Sequence, residues 1–286
     1  MDLRAILLGL AFAAMWSSAF SSARVIVAHA PPVSALALRF WLSGGLALGI
    51  AWALGRRLSL PRSAWWPVAV FGLCQNALYL GLNFVAMRTV EASMAAILAS
   101  TMPLLVAALG WAFLGRGVRP LGLAGLAAGF AGVGVVMGAR LTGGADMLGL
   151  ALCALGALAL ALATLTLSGA SAGGALLVVV GWQMIVGAAA LTVVAAFEPF
   201  YFDWSPALGA AFAYTVLVPG LVATLAWFVL VGRIGAVRAS AFHFLNPVFG
   251  VAFAAALLGE GVGPWDALGV AVTAAGILMV QLSREA

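Results

Sequence analysis

Asn76, Tyr79 and Asn83 fall at i, i+3 and i+7, a spacing that sets two amides and a phenol along one stripe of a helix. Their neighbours are apolar, so polar groups this large need a partner, water or a ligand. Similar groups recur in other apolar stretches: Trp16 with Ser17 and Ser21, Ser93 with Ser100 and Thr101, Trp182 with Gln183, Tyr214 with Thr224 and Trp227, and Ser240 with His243 and Asn246. Amides, hydroxyls and an imidazole can hold the polar end of a small solute, while Trp16, Tyr79 and Trp227 pack against its apolar body. That is the chemistry of binding. Its rival, strongest for the Ser and Thr positions, is interhelical hydrogen bonding that only holds helices together.

His243 is the one histidine inside an apolar stretch. A neutral imidazole bonded to a neighbour fits it, and so does contact with a substrate carboxylate or a proton-linked step. Arg39, about two turns into its stretch, is expected to snorkel outward rather than bind substrate. Pro103, Pro219 and Pro247 each remove a backbone donor and free a carbonyl, so each is an expected bend or hinge beside a cavity. Gly45 with Gly49, Gly125 with Gly129, and Gly134 with Gly138 are spaced for close helix approach.

Bond-making chemistry fares poorly. Gly169-Ala170-Ser171-Ala172-Gly173 spells the nucleophile-elbow pattern, but no strand precedes it, and catalysis there needs a histidine when only His29 and His243 exist. No catalytic residue, metal ligand or cofactor is assigned.

The elements that position these groups must be membrane helices. Hydrophobic residues make up 65% of the chain and charged ones 7%, with a mean hydropathy of +1.19, far from a soluble domain in which about a quarter of residues are charged. A helix needs about 20 apolar residues to cross the hydrocarbon layer. Ten stretches qualify, roughly 3–26, 33–54, 64–87, 92–114, 121–139, 147–167, 175–197, 206–231, 236–258 and 265–282. Their length and continuity exclude a barrel, and the short connections leave no room for a soluble domain. The first stretch lacks a clean cleavage site and is kept as a span. Trp65 and Trp66 suit an interfacial belt. The net charge of +5 carries topology; no basic run points to nucleic acid. Cys74 and Cys153 lie inside apolar stretches, so a disulfide framework is not expected.

Arginine placement predicts orientation. With the N-terminus inside, Arg4, Arg56, Arg57, Arg62, Arg116, Arg119, Arg233, Arg238 and Arg284 fall in the cytoplasm, against Arg24, Arg88 and Arg140 outside. Glu91, Asp146, Glu198, Asp203, Glu260 and Asp266 fall outside, so no carboxylate is expected in the membrane interior. Facilitated diffusion or exchange is then the simplest mechanism. Both termini are expected to be cytoplasmic.

The stretch 90–135 is written twice. A shift of 144 positions brings Pro103 onto Pro247, Gly115 onto Gly259, Gly117 onto Gly261, Pro120 onto Pro264, Gly125 onto Gly269 and Gly132 onto Gly276. The same register brings Phe84 onto Phe228. Each half then holds five spans, residues 1–141 and 145–286, and an odd number makes the second half enter the membrane from the opposite face. The expected fold is all-α integral membrane, with ten transmembrane helices as two five-helix inverted-topology repeats.

These pieces together resemble the drug/metabolite transporter superfamily in its ten-helix form with two EamA-type repeats. The resemblance rests on Trp16-Ser17-Ser18-Ala19-Phe20, Arg39-Phe40, Pro103 with Gly115 and Pro120, Asn246-Pro247, Leu257-Leu258-Gly259-Glu260, Gly269 and Gly276-Ile277. Arg116 departs from it, since the family often has an acid after the glycine in both halves. The resemblance implies export of amino acids, drugs or other small metabolites from the bacterial inner membrane, and is strongest to the aromatic amino-acid exporters of the YddG kind. A small-molecule substrate and the lipid bilayer are the expected partners, with the oligomeric state left open. A channel, a structural scaffold and an intramembrane hydrolase are the alternatives. The expected substrate site is a central cavity bordered by Trp16, Asn76, Tyr79, Asn83, Ser100, Trp227 and His243.

Overall fold

Prolines set where many of the helices begin. Pro32, Pro206 and Pro247 sit in first turns, where the missing N–H has no intrahelical partner to lose, and Pro120 and Pro264 open their helices. The computed structural model describes residues 3–114, 119–142, 146–167, 176–199, 201–234, 239 and 241–284. Helices α1 (Leu3–His29) and α2 (Pro32–Ala53) come first. Next, α3 (Arg62–Phe71) runs through a π-helical segment (Gly72–Tyr79) into α4 (Leu80–Ala86), and α5 (Ala92–Ala99) is followed by α6 (Met102–Leu114) and α7 (Pro120–Thr142). In the second half, α8 (Met147–Leu167) and α9 (Leu176–Ala195) precede α10 (Pro206–Thr215), a second π segment (Val216–Val222) and α11 (Ala223–Ile234). A 3-10 turn (Ala241–Leu245) leads into α12 (Asn246–Leu258), and α13 (Pro264–Arg284) ends the chain's described part.

Among the described residues the regular elements are all helical, and seven stretches are long and apolar enough to cross a membrane: Leu3–His29, Pro32–Ala53, Arg62–Ala86, Ala92–Gly110, Met147–Leu165, Leu176–Ala195 and Pro206–Ile234. Pro120–Val136 and Asn246–Leu258 are shorter apolar helices. This is a multi-pass membrane protein. Gly115, Arg116, Gly117, Gly143, Gly144, the stretch 169–174 with Ser171, Arg238 and Ser240 lie outside the described residues.

The departures from regular α-helix come in matched places. The two π segments begin at Gly72 and Val216, equivalent positions in the repeat, and Pro219 lies inside the second. A π turn leaves backbone groups poorly paired, and at each segment a side-chain hydrogen bond crosses to the opposite half, in the second reaching a π-segment carbonyl. Ser43 of α2 donates to the Val216 carbonyl at 2.9 Å, while the Asn76 amide in the first π segment donates to the Gln183 carbonyl of α9 at 3.0 Å. Before Pro103, Ser100 and Thr101 break the helix, their hydroxyls bonded back to the Ile97 and Leu98 carbonyls at 2.6 and 2.7 Å. The matching place before Pro247 holds the 3-10 turn with His243.

Packing repeats the same pairing. Helix α2 lies against α9 and α7 against α13, each meeting its counterpart in the other half, and α5 packs on α12, the equivalent of its own successor α6. Helix α1 packs on α12, as α8 packs on α5 and α6. The α7–α13 contact is backbone to backbone, because a Cβ on Gly132 would sit 2.6 Å from Thr273 N and 2.8 Å from Gly269 O. Gly129 joins this seam through Leu104 and Gly276. By contrast Gly45, Gly49, Gly134 and Gly138 have nothing within 4 Å of a built Cβ, so the expectation that they permit close helix approach is corrected: among the described residues their faces meet no neighbouring helix.

Carboxylates tie the halves together at one end. Glu198 accepts from Val33 N (3.2 Å), Ser34 N (2.8 Å) and Ser34 Oγ (2.9 Å) at the start of α2. Glu260 accepts from Ala92 N (2.8 Å) and Ser93 N (3.0 Å) at the start of α5. Each fills the free donors of a helix N-terminus with negative charge. Nearby, the Thr89 hydroxyl at 2.6 Å and the Leu148 N–H hold the Asp146 carboxyl below its usual range. Glu260→Gln keeps the shape but loses the charge and one acceptor, and is expected to destabilise this end by about 1 kcal/mol. A cysteine at Val90, now 4% exposed, should then react severalfold faster with a water-soluble maleimide; an unchanged rate would show that the carboxylate is no latch.

Candidate functional site

Two aromatic residues one helical turn apart on α1 organise the centre of the molecule. The Phe12 ring lies 5.6 Å from Trp16, 5.0 Å from Trp227 and 5.1 Å from His243, centroid to centroid. Trp16 is stacked on Tyr79 at 6.4 Å with an interplanar angle of 5°, and meets His243 edge-on at 6.0 Å. Trp227 and His243 are 5.0 Å apart. All five side chains are buried, and α1, α11, the first π segment and the 3-10 turn bring them together from both halves.

Trp16 borders two cavities. One, a narrow space in this conformation, is walled by Trp16, Phe20, Arg39, Tyr79, Asn83 and Pro219, with Ala23 and Met87 toward the carboxylate end. The other, equally narrow, is walled by Phe12, Trp16, Gln75, Leu160, Thr164, Trp227 and His243. Along α1 and along the α3–α4 rod they follow one another, so the Trp16–Tyr79 stack lies between them. Among the described residues no Asp or Glu borders either cavity.

A polar chain orients the imidazole. Ser17 Oγ donates to Asn246 Oδ1 at 3.1 Å, and Asn246 Nδ2 lies 2.9 Å from His243 Nδ1. With the amide so placed, Nδ1 accepts and the imidazole proton sits on Nε2. The neighbouring Tyr214 hydroxyl pairs with Ser18 at 2.7 Å, and Thr215 donates to Ser22 at 2.7 Å, so these hydroxyls tie α1 to α10.

Of the residues expected from sequence, Trp16, Tyr79, Asn83, Trp227 and His243 border the cavities. Asn76 points instead at Gln183 on α9, bonded to both its carbonyl and its side-chain oxygen, and Ser100 is bonded to its own helix. Pro219 walls the larger cavity, whereas Pro103 and Pro247 sit in first turns after helix breaks. The expected snorkelling of Arg39 is corrected: α2 turns this face inward, and Arg39 is 3% exposed on the cavity wall. Phe12, Gln75 and Thr164 were not singled out from sequence. Phe12 was findable, as an aromatic at i−4 from Trp16.

The sequence profile of the EamA-like transporter family matches residues 3–138 and again residues 147–282. The chain is 26% identical over 250 residues to the uncharacterized transporter YvbV of Bacillus subtilis, covering 86% of this chain and 81% of the relative. It is 27% identical over 281 residues to the uncharacterized inner membrane transporter YedA of Escherichia coli K12, covering 94% and 88%. Against the aromatic amino acid exporter YddG of Ancylobacter novellus it is 31% identical over 139 residues, 49% of this chain and 48% of the relative. A solved crystal structure, 23% identical, superposes with a TM-score of 0.72 over 100% of this chain and 99% of that chain, a likeness of fold.

Proposed function

This chain belongs to the EamA-like transporter family, and from that premise we propose that it exports small amphipathic metabolites, amino acids with aromatic or apolar side chains among them, by alternating access. One observation carries the reading: two cavities lined from both halves meet at Trp16, with large aromatic faces and few polar groups around them. Trp16, Tyr79, Asn83, Trp227 and His243 touch the solute, while Asn76 and Ser100 hold the helices behind them. The π segments and the breaks before Pro103 and Pro247 are the places where the helices bend.

In this reading the molecule has ten membrane-spanning helices in two inverted five-helix halves, residues 1–141 and 145–286. The counterpart-on-counterpart packing of α2 with α9 and of α7 with α13 supports it. Two like halves can exchange conformations and so exchange the face to which the site opens. The protein lies in the bacterial inner membrane with both termini in the cytoplasm, as the arginine asymmetry favours. Cysteine labelling from outside is expected to reach position 260 and miss position 117; the reverse pattern would sink this orientation.

Carboxylate-free cavities favour exchange or facilitated diffusion over a proton relay through Asp or Glu. The functional test is flux of labelled amino acids and related metabolites into proteoliposomes, with and without a pH gradient. Saturable flux with counterflow is expected. Unsaturable flux would indicate a channel, and none at all would leave a scaffold.

A further inference from the structure

A charge in a membrane interior is costly unless it is paired or solvated. Arg39 is 3% exposed, yet its Nε and Nη1 have no hydrogen-bond partner among the described residues. The ring beside it is that of its own neighbour Phe40, 4.9 Å from the guanidinium carbon. The cavity it walls also holds the Oδ1 of Asn83, buried and without a hydrogen-bond partner, and the hydroxyl of Tyr79 beside the Trp16 indole, and among the described residues no Asp or Glu lines it. A fixed cation facing an apolar cavity with no anion of its own is half of an ion pair.

Resting on the transporter reading, we propose that Arg39 anchors a carboxylate of the transported solute, so that the site takes small organic acids with an apolar body whether or not they carry an amino group. The guanidinium fork matches a carboxylate with two parallel hydrogen bonds, and burial strengthens them. Trp16, Phe20 and Tyr79 then face the apolar body. An ammonium finds only neutral acceptors such as Asn83 Oδ1, which makes an amino group tolerated but not required. An amine lacking a carboxylate meets Arg39 as a like charge and is rejected.

The test is equilibrium binding of labelled 3-phenylpropionate to the purified full-length protein, competed by L-phenylalanine, 2-phenylethylamine and 3-phenylpropionamide. The two acids are expected to compete within a few-fold of each other, with the amine and the amide at least about tenfold weaker. R39Q should weaken both acids by about tenfold or more and leave the amide unchanged, and R39K should fall between. Equal displacement by acid, amide and amine, or no binding of either acid, overturns the proposal on wild-type protein alone, even if R39Q does not fold. R39Q with an unchanged melting temperature and wild-type acid affinity overturns it too. The same probes in proteoliposomes separate the two claims. Saturable flux of non-acids alone sinks the carboxylate anchor and spares the transporter reading, whereas acid binding without flux of any solute does the opposite.

Discussion

Gly276→Leu is expected to leave almost no monodisperse protein, measured by fluorescence-detected size exclusion after membrane extraction. A Cβ at this position falls within contact distance of Gly129 N, 2.6 Å from Gly125 O and 2.7 Å from Gly129 Cα. These are backbone atoms, which cannot rotate out of the way as a side chain can. Even one added methyl means that α7 and α13 must separate, and overpacking of this kind costs about 1–3 kcal/mol before the rest of the leucine is placed. In lipid, close van der Waals contact is much of what holds two helices together, so separation loses the interaction it was meant to keep. Gly134→Leu is the control. It lies on the same helix α7 but has nothing within 4 Å of its built Cβ, so it should keep near wild-type yield. Equal yields from the two variants would mean that the α7–α13 seam is not a close backbone contact.

This pair also shows what could be read from sequence. Gly125, Gly132, Gly269 and Gly276 were visible because the repeat carries each pair in one register, and they form the seam between equivalent helices. Gly134 and Gly138 have the same local spacing as Gly125 and Gly129, yet face open space. Spacing tells which residues share a helix face, not what that face meets. The fate of Arg39 was hidden for the same reason, since snorkelling and cavity lining differ only in the rotation of α2 about its axis.

The Asn stripe failed in part for a more local cause. Asn76, Tyr79 and Asn83 share one face only while the helix is regular. The π segment Gly72–Tyr79 inserts a wide turn there, which sends Asn76 to Gln183 on α9 and leaves Tyr79 and Asn83 on the cavity wall. Nothing in 72–79 announces that turn, because it holds no proline. Pro219, at the equivalent place in the other half, was the one available hint. Ser100 shows a further limit, since its hydroxyl is absorbed by the helix break that Pro103 requires.

Trp16→Ala should cut saturable flux of aromatic solutes by about a hundredfold, the scale of losing a buried aromatic anchor worth about 2–4 kcal/mol. Trp16 is 5% exposed and walls both cavities, and its indole is stacked on Tyr79 and set edge-on to His243. Truncation joins the two spaces and removes the face against which an aromatic body packs. Trp16→Phe keeps a ring at the junction and should recover much of the flux. Tyr79→Ala and Trp227→Ala each open one cavity only, so they should weaken transport of bulky solutes more than of small ones. His243→Ala should affect both, because the imidazole, held by Asn246 and Ser17, packs against Phe12, Trp16 and Trp227 and so positions the whole aromatic cluster. Counterflow in proteoliposomes reads all of these, with size exclusion confirming that each variant is folded. If Trp16→Ala, Tyr79→Ala and His243→Ala are folded and equally mild, the aromatic cluster is packing between helices and the solute passes elsewhere. A steep ranking with Trp16 at its head places the solute at the Trp16–Tyr79 stack, between the two cavities.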